Sequence, residues 1–266
     1  MSTFTYPAPA PSRVLRLPRL SRGGAQVALF FLAYLVYSGA RYFTIGDLSD
    51  ATNNAHWIVR LEDTLGVGIE SAVQTALSGT VVLWALNHVY LAAQLVVLPG
   101  ALWMLHRKAR PHYVLLRNTV LATWLIALPI YGLFPVAPPR LADVGLVDTI
   151  TTQTGLALDS KLTTSFYNPI AAVPSLHAGF ALAVGVALAA HFRNPLAKLV
   201  SWAWAPTIGL AVVATGNHFF FDIAAGIVVT MAGYVVGNAV DRRFAGRRPW
   251  RRPVLQVSGG PGAQPA

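Results

Sequence analysis

Five long stretches of this sequence contain no Lys, Arg, Asp or Glu. They cover residues 71–105, 118–139, 162–192, 199–221 and 223–240. A helix needs about 20 mostly apolar residues to cross the roughly 30 Å of hydrocarbon in a bilayer, and uncharged stretches of this length are typical of such helices. Charged residues make up only 11% of the chain, against about 25% in soluble domains. The sequence therefore predicts an all-α, polytopic membrane protein.

Six transmembrane helices are predicted from uncharged length and turn signals. Their approximate limits are 25–44, 79–105, 117–136, 174–192, 198–216 and 218–240. The first lies too far from Met1 to be the apolar core of a cleavable signal peptide, so we expect it to be retained. The predicted organisation is a basic, disordered cytoplasmic leader over 1–24, a membrane domain over 25–240, and a cytoplasmic tail over 241–266 that is basic and then Pro/Gly-rich.

The distribution of Lys and Arg predicts the orientation of these helices, because cytoplasmic loops carry an excess of both residues. Sixteen cations lie in the leader, the tail, and the connections between spans two and three and between spans four and five. Four lie on the opposite side: Arg41, Arg60, Arg140 and Lys161. We expect a plasma-membrane protein with both termini in the cytoplasm and the loops 45–78 and 137–173 outside. The net charge of +10 then follows from topology and does not indicate a nucleic-acid partner.

The first outer loop contains a helical pattern. Five apolar residues recur at every fourth position: Trp57, Leu61, Leu65, Ile69 and Val73. Such a stripe predicts an amphipathic helix lying in the membrane interface. It would equally suit a helix packed on the outer loops of its own protein, and the sequence leaves both possibilities open.

Asp222 is the only acidic residue inside a predicted span, and His218 precedes it by four residues. A carboxylate within a membrane is costly and is a functional candidate by default. Side chains at i and i+4 share a helix face. Asp222 can therefore accept a hydrogen bond from the imidazole and leave the other ring nitrogen as a nucleophile. For this pair alone, a buried histidine that the carboxylate merely satisfies is the alternative.

More polar residues are predicted at the same outer face. Ser175 and His177 lie at the start of the fourth span, which runs from outside to inside as the sixth does. Helix N-termini offer backbone N–H groups and a positive dipole end to anions such as phosphate. Arg140 ends the proline-rich segment 134–140 and can bind phosphate oxygens bidentately, with Lys161 as a weaker second cation. Taken singly, the serine could be an ordinary helix start and the arginine a lipid-headgroup anchor.

The order of these motifs resembles the type-2 phosphatidic acid phosphatase superfamily of integral-membrane lipid phosphatases. Three segments are most similar to its inositol-phosphotransferase branch, which includes inositol phosphorylceramide synthases. They are Phe-Pro-Val-Ala-Pro-Pro-Arg at 134–140, Ala-Ala-Val-Pro-Ser-Leu-His at 171–177 and Thr-Gly-Asn-His-x3-Asp at 215–222. The resemblance covers about 25–240.

The resemblance implies that His218 accepts the phosphoryl group, that Asp222 orients it, and that His177 protonates the leaving alcohol. Arg140 and Ser175 would bind the phosphate oxygens. The implied protein is a metal-independent enzyme without cofactors. It would cleave or transfer the phosphoryl or phospho-head-group moiety of a phospholipid, polyprenyl or inositol lipid phosphoester at the outer face of the membrane.

Three positions depart from the family pattern. Leu133 stands where the first motif has lysine, Leu176 replaces a glycine of the second, and 211–212 lack the Ser-Arg of the third. Either Lys161 or Arg41 replaces a missing cation, or the substrate is a less charged diester, which suits transfer better than hydrolysis. A phosphomonoester phosphatase is therefore one alternative.

Two alternatives of other classes also remain open. One is a zinc site formed by His177, His218 and Asp222, since His and Asp are acceptable zinc ligands. Removal of the metal by a chelator would then abolish activity. The other is a non-catalytic transporter or assembly protein whose polar groups line a cavity. Transport sites usually lie near the bilayer midplane, whereas these residues lie at predicted helix starts.

Overall fold

The computed structural model describes residues 22–44, 47–156, 158, 160 and 168–244. Most of the predicted leader, the tail after residue 244, and Lys161 lie outside the described residues. The chain divides into two compact units, 1–37 and 38–266. The described part of the first unit is helical and belongs to α1 (Arg22–Thr44). All the contacts discussed below lie within the second unit.

The described part of the chain is helical. After α1 come α2 (Leu48–Leu65), α3 (Glu70–Leu77), α4 (Val81–Ala92), α5 (Leu98–Lys108), α6 (Arg110–Leu133), α7 (Thr149–Thr154), α8 (Leu176–His191), α9 (Pro195–Ala214) and α10 (Phe220–Phe244). A π-helical turn, Ala93–Val97, joins α4 to α5, and a 3-10 turn covers Pro139–Leu141. No strand occurs among the described residues, which confirms the all-α prediction.

Helices occur at all six positions where spans were predicted. Among the described residues, four helical segments are long and apolar enough to cross a bilayer. They are Val81–Lys108, Arg110–Leu133, Pro195–Ala214 and Phe220–Arg243. Two more apolar helical segments, Gly23–Val36 and Leu176–His191, are shorter. This architecture is consistent with an integral membrane protein, while the count of six spans stays a prediction.

The first outer loop folds as two helices. α2 ends at Gly66, whose φ of 67° lies in the left-handed region, and α3 begins at Glu70. A left-handed glycine immediately after the last helical residue is a common helix C-cap. The prediction of one uninterrupted helical stripe from Trp57 to Val73 is therefore wrong, because Gly66 ends the first helix.

One face of α2 packs on other segments of the second unit, to which α2 itself belongs. Ala51, Ala55 and Ile58 are fully buried in a cluster that includes Ala137. The backbone N–H of Ala137 donates to the carbonyl of Ala51 at 3.0 Å. Three residues of the predicted stripe stay exposed: Trp57, Leu65 and Ile69. α2 thus packs on its own protein through Ala51, Ala55 and Ile58, and its placement in the membrane interface stays a prediction.

Backbone pairing joins the segment after α6 to the segment before α8. The N–H of Val136 donates to the carbonyl of Ile170 at 3.1 Å, and the N–H of Ala172 donates to the carbonyl of Val136 at 3.0 Å. The peptide bond between Val173 and Pro174 is cis. This pairing brings the loop that carries Arg140 to the start of α8.

A close approach of backbones joins the start of α8 to α10. Gly226 lies against the backbone of Ser175, where a Cβ on Gly226 would overlap the Ser175 carbonyl. The N–H of Ser175 donates to the backbone carbonyl of Asp222 at 3.0 Å. A glycine at position 226 therefore permits the start of α8 to lie this close to α10.

Candidate active site

His218 lies in the turn between α9 and α10. Its Nδ1 is 3.1 Å from Oδ2 of Asp222, in the first turn of α10. Asp222 is fully buried, and His218 is nearly so. The same carboxylate oxygen accepts the N–H of Phe219 at 2.9 Å. A carboxylate at Nδ1 favours the tautomer with the proton on Nδ1, which leaves Nε2 with its lone pair.

His177, the second residue of α8, faces His218. The two ring centroids are 6.2 Å apart and the ring planes are inclined by 54°. Imidazoles separated by more than about 10 Å could not both reach one phosphoryl group, and this pair lies well within that limit. The structure therefore brings together His177, His218 and Asp222, the three residues predicted to carry the chemistry.

Tyr90 of α4 stacks on His177. The ring centroids are 4.1 Å apart, and the planes are inclined by only 17°. Sequence reasoning missed this residue, because a tyrosine in an apolar helix carries no signal of its own. The stack places an aromatic ring against one face of the imidazole and so limits the orientations that His177 can adopt.

Ser175 is fully buried at the start of α8. Its hydroxyl oxygen accepts the N–H of Ala178 at 3.4 Å and is the N-cap of this helix. The structure thus shows the residue in the ordinary role of a helix start. Its predicted contact with phosphate stays a prediction.

Arg140 lies in the 3-10 turn, and its side chain is buried. The backbone N–H donates to the carbonyl of Gly216 at 2.9 Å, and Nε donates to Oδ1 of Asn217 at 3.0 Å. Its guanidinium is 4.0 Å from the carboxylate of Asp148. Arg140 also lies close enough to His218 to interact with it electrostatically. The loop after α6 thus brings its arginine to the nucleophile candidate, as the motif order predicts.

Two partners of Arg140 were missed at the sequence level. Asn217 directly precedes His218 in the motif, and this position could have identified it as a site residue. Asp148 carried none, since it lies in an irregular segment and is also the N-cap of α7. The two other candidate cations, Lys161 and the side chain of Arg41, lie outside the described residues.

Carboxylates occupy the first N–H groups of α10. The pairs are Phe219 with Asp222 at 2.9 Å, Phe220 with Glu70 at 2.7 Å, and Phe221 with Glu62 at 2.6 Å. The prediction that the start of the sixth span offers its N–H groups to phosphate is wrong for these three donors. The reason is that buried side-chain oxygens already accept from them.

Glu62 and Glu70 were not predicted as site residues. Both are buried, with 2% and 5% of their surface exposed, and their side chains hydrogen-bond each other. Burial, with the nearby carboxylates of Glu70 and Asp222, raises the pKa of Glu62 to about 8, although the N–H of Phe221 acts in the opposite direction. Glu62 follows Ile58 by four positions, on the buried face of α2. That spacing was the available signal.

Among the described residues, no three His, Cys, Asp or Glu side chains are grouped so that they could hold a metal ion. The zinc alternative required His177, His218 and Asp222 to share one such position. Instead, Nδ1 of His218 faces the carboxylate directly. The arrangement is that of a base and its orienting carboxylate.

Residues 56–236 match the PAP2 superfamily, and no curated protein matches the chain. Among solved structures, the chain is similar to the crystal structure of LpxE from Aquifex aeolicus, with a TM-score of 0.49 and 15% identity. That similarity covers 64% of this chain and 93% of the other. The matched range 56–236 contains all the described site residues.

Proposed function

The chain belongs to the PAP2 superfamily, and from this membership and the site geometry we propose that it is a membrane-bound lipid phosphatase or phosphotransferase that works through a phosphohistidine. Membership supports a lipid-phosphatase type of function. The observation that carries the finer proposal is the arrangement of two imidazoles and one carboxylate. His177 and His218 lie 6.2 Å apart between ring centroids, and Asp222 is 3.1 Å from Nδ1 of His218.

In the first step, the Nε2 lone pair of His218 attacks the phosphorus of the lipid phosphoester. A P–N bond forms and the P–O bond to the leaving alcohol breaks, while His177 gives the departing oxygen a ring proton. Asp222 stabilises the positive charge that develops on the His218 ring and holds its orientation. The product of this step is a phosphohistidine and a free alcohol.

In the second step, water or a second alcohol attacks the phosphohistidine. His177 now accepts the proton of the attacking hydroxyl, a P–O bond forms, and the P–N bond breaks to return the lone pair to His218. Water as acceptor gives hydrolysis, and an alcohol gives transfer. The same residues serve both outcomes, so the acceptor alone distinguishes phosphatase from phosphotransferase.

The phosphate oxygens are proposed to bind Arg140 and the start of α8. A guanidinium presents five N–H donors, and that of Arg140 is near enough to His218 to interact with it electrostatically. The backbone N–H groups of Leu176 and His177, the Ser175 hydroxyl and Lys161 are the further proposed donors. These groups would stabilise the phosphoryl charge without a metal ion, so turnover should persist in the presence of a chelator.

The substrate class is proposed from the surroundings of the site. A phosphoester carried by a lipid, whether phospholipid, polyprenyl or inositol lipid, reaches a site at the start of apolar helices from within the bilayer. Leu133 stands where a second cation is expected, which favours a diester and therefore transfer. Monoester hydrolysis remains the alternative that the assay below distinguishes.

The charge distribution supports a proposed orientation. We propose six spans, with cytoplasmic leader and tail segments at 1–24 and 241–266. The site then opens to the outside of the plasma membrane, because sixteen of the twenty cations lie in the leader, the tail and the loops on the opposite, cytoplasmic side. Labelling of single cysteines, introduced into this cysteine-free chain at 45–78 and in the tail, with a reagent that does not cross the membrane tests this orientation. Labelling of the tail in intact cells would contradict it.

Replacement of the proposed nucleophile tests the function. Purified His218→Ala protein is assayed on lipid phosphomonoesters and on phosphatidylinositol with alcohol acceptors. Turnover of both should fall to background, because the proposed covalent intermediate forms on the His218 ring. Turnover equal to that of the parent protein would exclude His218 as the nucleophile.

Trapping of the intermediate adds a direct readout. An alkaline denaturing quench after mixing with labelled substrate should reveal a base-stable phosphoryl-enzyme in the parent and none in His218→Ala, and later acid treatment of the parent sample should release the label. Asp222→Asn should diminish the amount formed, since an amide cannot stabilise the imidazolium as a carboxylate does. A phosphoryl-enzyme that persists in His218→Ala would assign the nucleophile to another residue.

A further inference from the structure

The turn that carries His218 is held on both of its sides. On the N-terminal side, the N–H groups of Asn217 and His218 both donate to the carbonyl of Val212, each at 3.1 Å. On the C-terminal side, each of the next three residues donates its N–H to a carboxylate. The orientation of the imidazole therefore depends on acceptors at both ends of a short segment.

Two of the three carboxylates come from a distant part of the chain. Glu70 is 150 residues before Phe220, and Glu62 is 159 residues before Phe221. Both belong to the outer helices α2 and α3, which meet at the Gly66 turn. Neither residue has a role in the proposed chemistry, although each is almost fully buried. Burying a carboxyl group is costly unless it is hydrogen-bonded. The hydrogen bonds that these two residues accept from α10 therefore compensate the cost of burying them.

The two glutamates form one unit. Their side chains hydrogen-bond each other, and each uses its Oε1 atom for one backbone N–H of α10. The charged or titratable group that faces them from α10 is Asp222, which itself interacts with both. Because the pKa of Glu62 is raised to about 8, this residue keeps a proton at neutral pH, which limits repulsion among the three carboxyl groups.

We propose that Glu62 and Glu70 are positioning residues for the nucleophile: as a hydrogen-bonded carboxyl pair they hold the first N–H groups of α10 and thereby fix His218 against Asp222 and His177. This inference deepens, and rests on, the proposed function of the site. The first outer loop then takes part in catalysis without touching the substrate. A shift of about 1 Å at a reacting group can lower turnover by roughly 100-fold, so a loss of either acceptor should appear in kcat.

Two substitutions at Glu70 separate its hydrogen bond from its charge. Glu70→Gln keeps the length of the side chain and an oxygen acceptor but removes the charge. Glu70→Asp keeps the charge but shortens the side chain by one methylene, roughly 1.3 Å, which takes its oxygen beyond hydrogen-bond distance of the Phe220 N–H. At Phe221, Glu62→Asp likewise tests the reach of the side chain, whereas Glu62→Gln changes no charge at neutral pH, because Glu62 keeps its proton there.

We expect Glu70→Gln to retain kcat within about threefold, because the acceptor is kept, and Glu70→Asp to lose roughly 10- to 100-fold in kcat. KM should change little in both, since no proposed phosphate-binding group is altered. If Glu70 only stabilised the fold, its substitution would lower the amount of folded protein, and kcat per folded molecule would not differ between the two variants. Turnover is therefore normalised to the monodisperse fraction in size-exclusion chromatography.

Two results would overturn the proposal. The first is a parental kcat in both aspartate variants, which would show that the reach of the side chains is irrelevant. The second is a loss in Glu70→Gln at least as large as that in Glu70→Asp, which would show that keeping an oxygen acceptor at this position does not preserve turnover. Failure of the proposed function gives a different result. If the proposed function is wrong, His218→Ala stays active. If only the positioning role of the glutamates is wrong, His218→Ala is inactive and the glutamate variants do not differ as expected.

Discussion

Gly216 lies two residues before His218 and combines two constraints. Its φ of 70° lies in the left-handed region, where a residue with a Cβ is disfavoured by roughly 1–2 kcal/mol. A Cβ built on it would also meet the carbonyl oxygen of Val147 at 2.7 Å, which is about 0.7 Å short of an ordinary contact near 3.4 Å. Gly216→Ala therefore adds steric overlap to backbone strain.

The overlap cannot be relieved on the side of Val147. The amide of Gln74 holds Val147 at both of its backbone groups: Nε2 donates to the carbonyl and Oε1 accepts the N–H, each at 3.0 Å. The displacement must then fall on the turn with Gly216, whose own carbonyl accepts the N–H of Arg140 at 2.9 Å. Both Arg140 and His218 should move from their positions by a few tenths of an ångström or more.

Gly155→Ala is the matched control, because Gly155 has a similar φ of 73° and no heavy atom within 4 Å of an added Cβ. Gly155→Ala should lower the free energy of unfolding only by the cost of left-handed backbone strain, about 1–2 kcal/mol, and leave turnover unchanged. Gly216→Ala should cost about 1–3 kcal/mol more from overpacking and lower kcat by roughly 10- to 100-fold. The measurements are thermal unfolding in detergent and turnover of a lipid phosphoester by both variants.

One result would refute this reasoning. If Gly216→Ala and Gly155→Ala had the same melting temperature and the same kcat, the contact with Val147 would have no energetic consequence. The position of the turn would then not depend on the Gln74 amide. A loss of stability with full turnover would instead confine the effect to folding and remove Gly216 from the set of residues that position the site.

Two further predictions concern Tyr90 and Glu62. Tyr90→Phe should keep turnover, whereas Tyr90→Leu should lower kcat by up to about tenfold, because an aromatic pair contributes about 0.5–1.5 kcal/mol. Equal kcat in the two variants would contradict an orienting role for the stack of Tyr90 on His177. Since burial raises the pKa of Glu62 from 4.5 to about 8, the folded protein keeps a proton that the unfolded chain releases, and stability should fall as pH rises between these two values. Melting temperatures measured across this range should decline less in Glu62→Gln than in the parent, and an identical slope would show that Glu62 does not titrate there.

The sequence was sufficient for the features that depend on local pattern. Charge-free length predicted helices at six positions, because a helix in hydrocarbon must satisfy its own backbone and exclude charge. The i, i+4 spacing placed His218 against Asp222, since helical geometry alone brings those side chains to one face. The motif order also indicated that Arg140 and His177 would lie near that dyad.

Local pattern failed where a helix ends and where several segments meet. The stripe from Trp57 to Val73 continued through Gly66 in the periodicity, but a left-handed glycine ends α2 there. The start of α10 was predicted to bind an anion because it is a helix N-terminus at the outer face, yet Glu62 and Glu70 accept its N–H groups. Nothing in the neighbourhood of Phe220 in the sequence indicates an acceptor that lies 150 residues away.

The sequence by itself determined the positions of the apolar helices, the all-α class of the fold and the candidate residues for the proposed phosphoryl chemistry. Those properties follow from the solvation of each segment and from the repeat of a single helix. Only the tertiary structure decided which donors the site keeps, which carboxyl groups hold the turn at His218, and that Tyr90 stacks on His177. Each backbone N–H donates to an acceptor that packing brings within hydrogen-bond distance, and packing depends on the whole chain rather than on the segment that contains the donor.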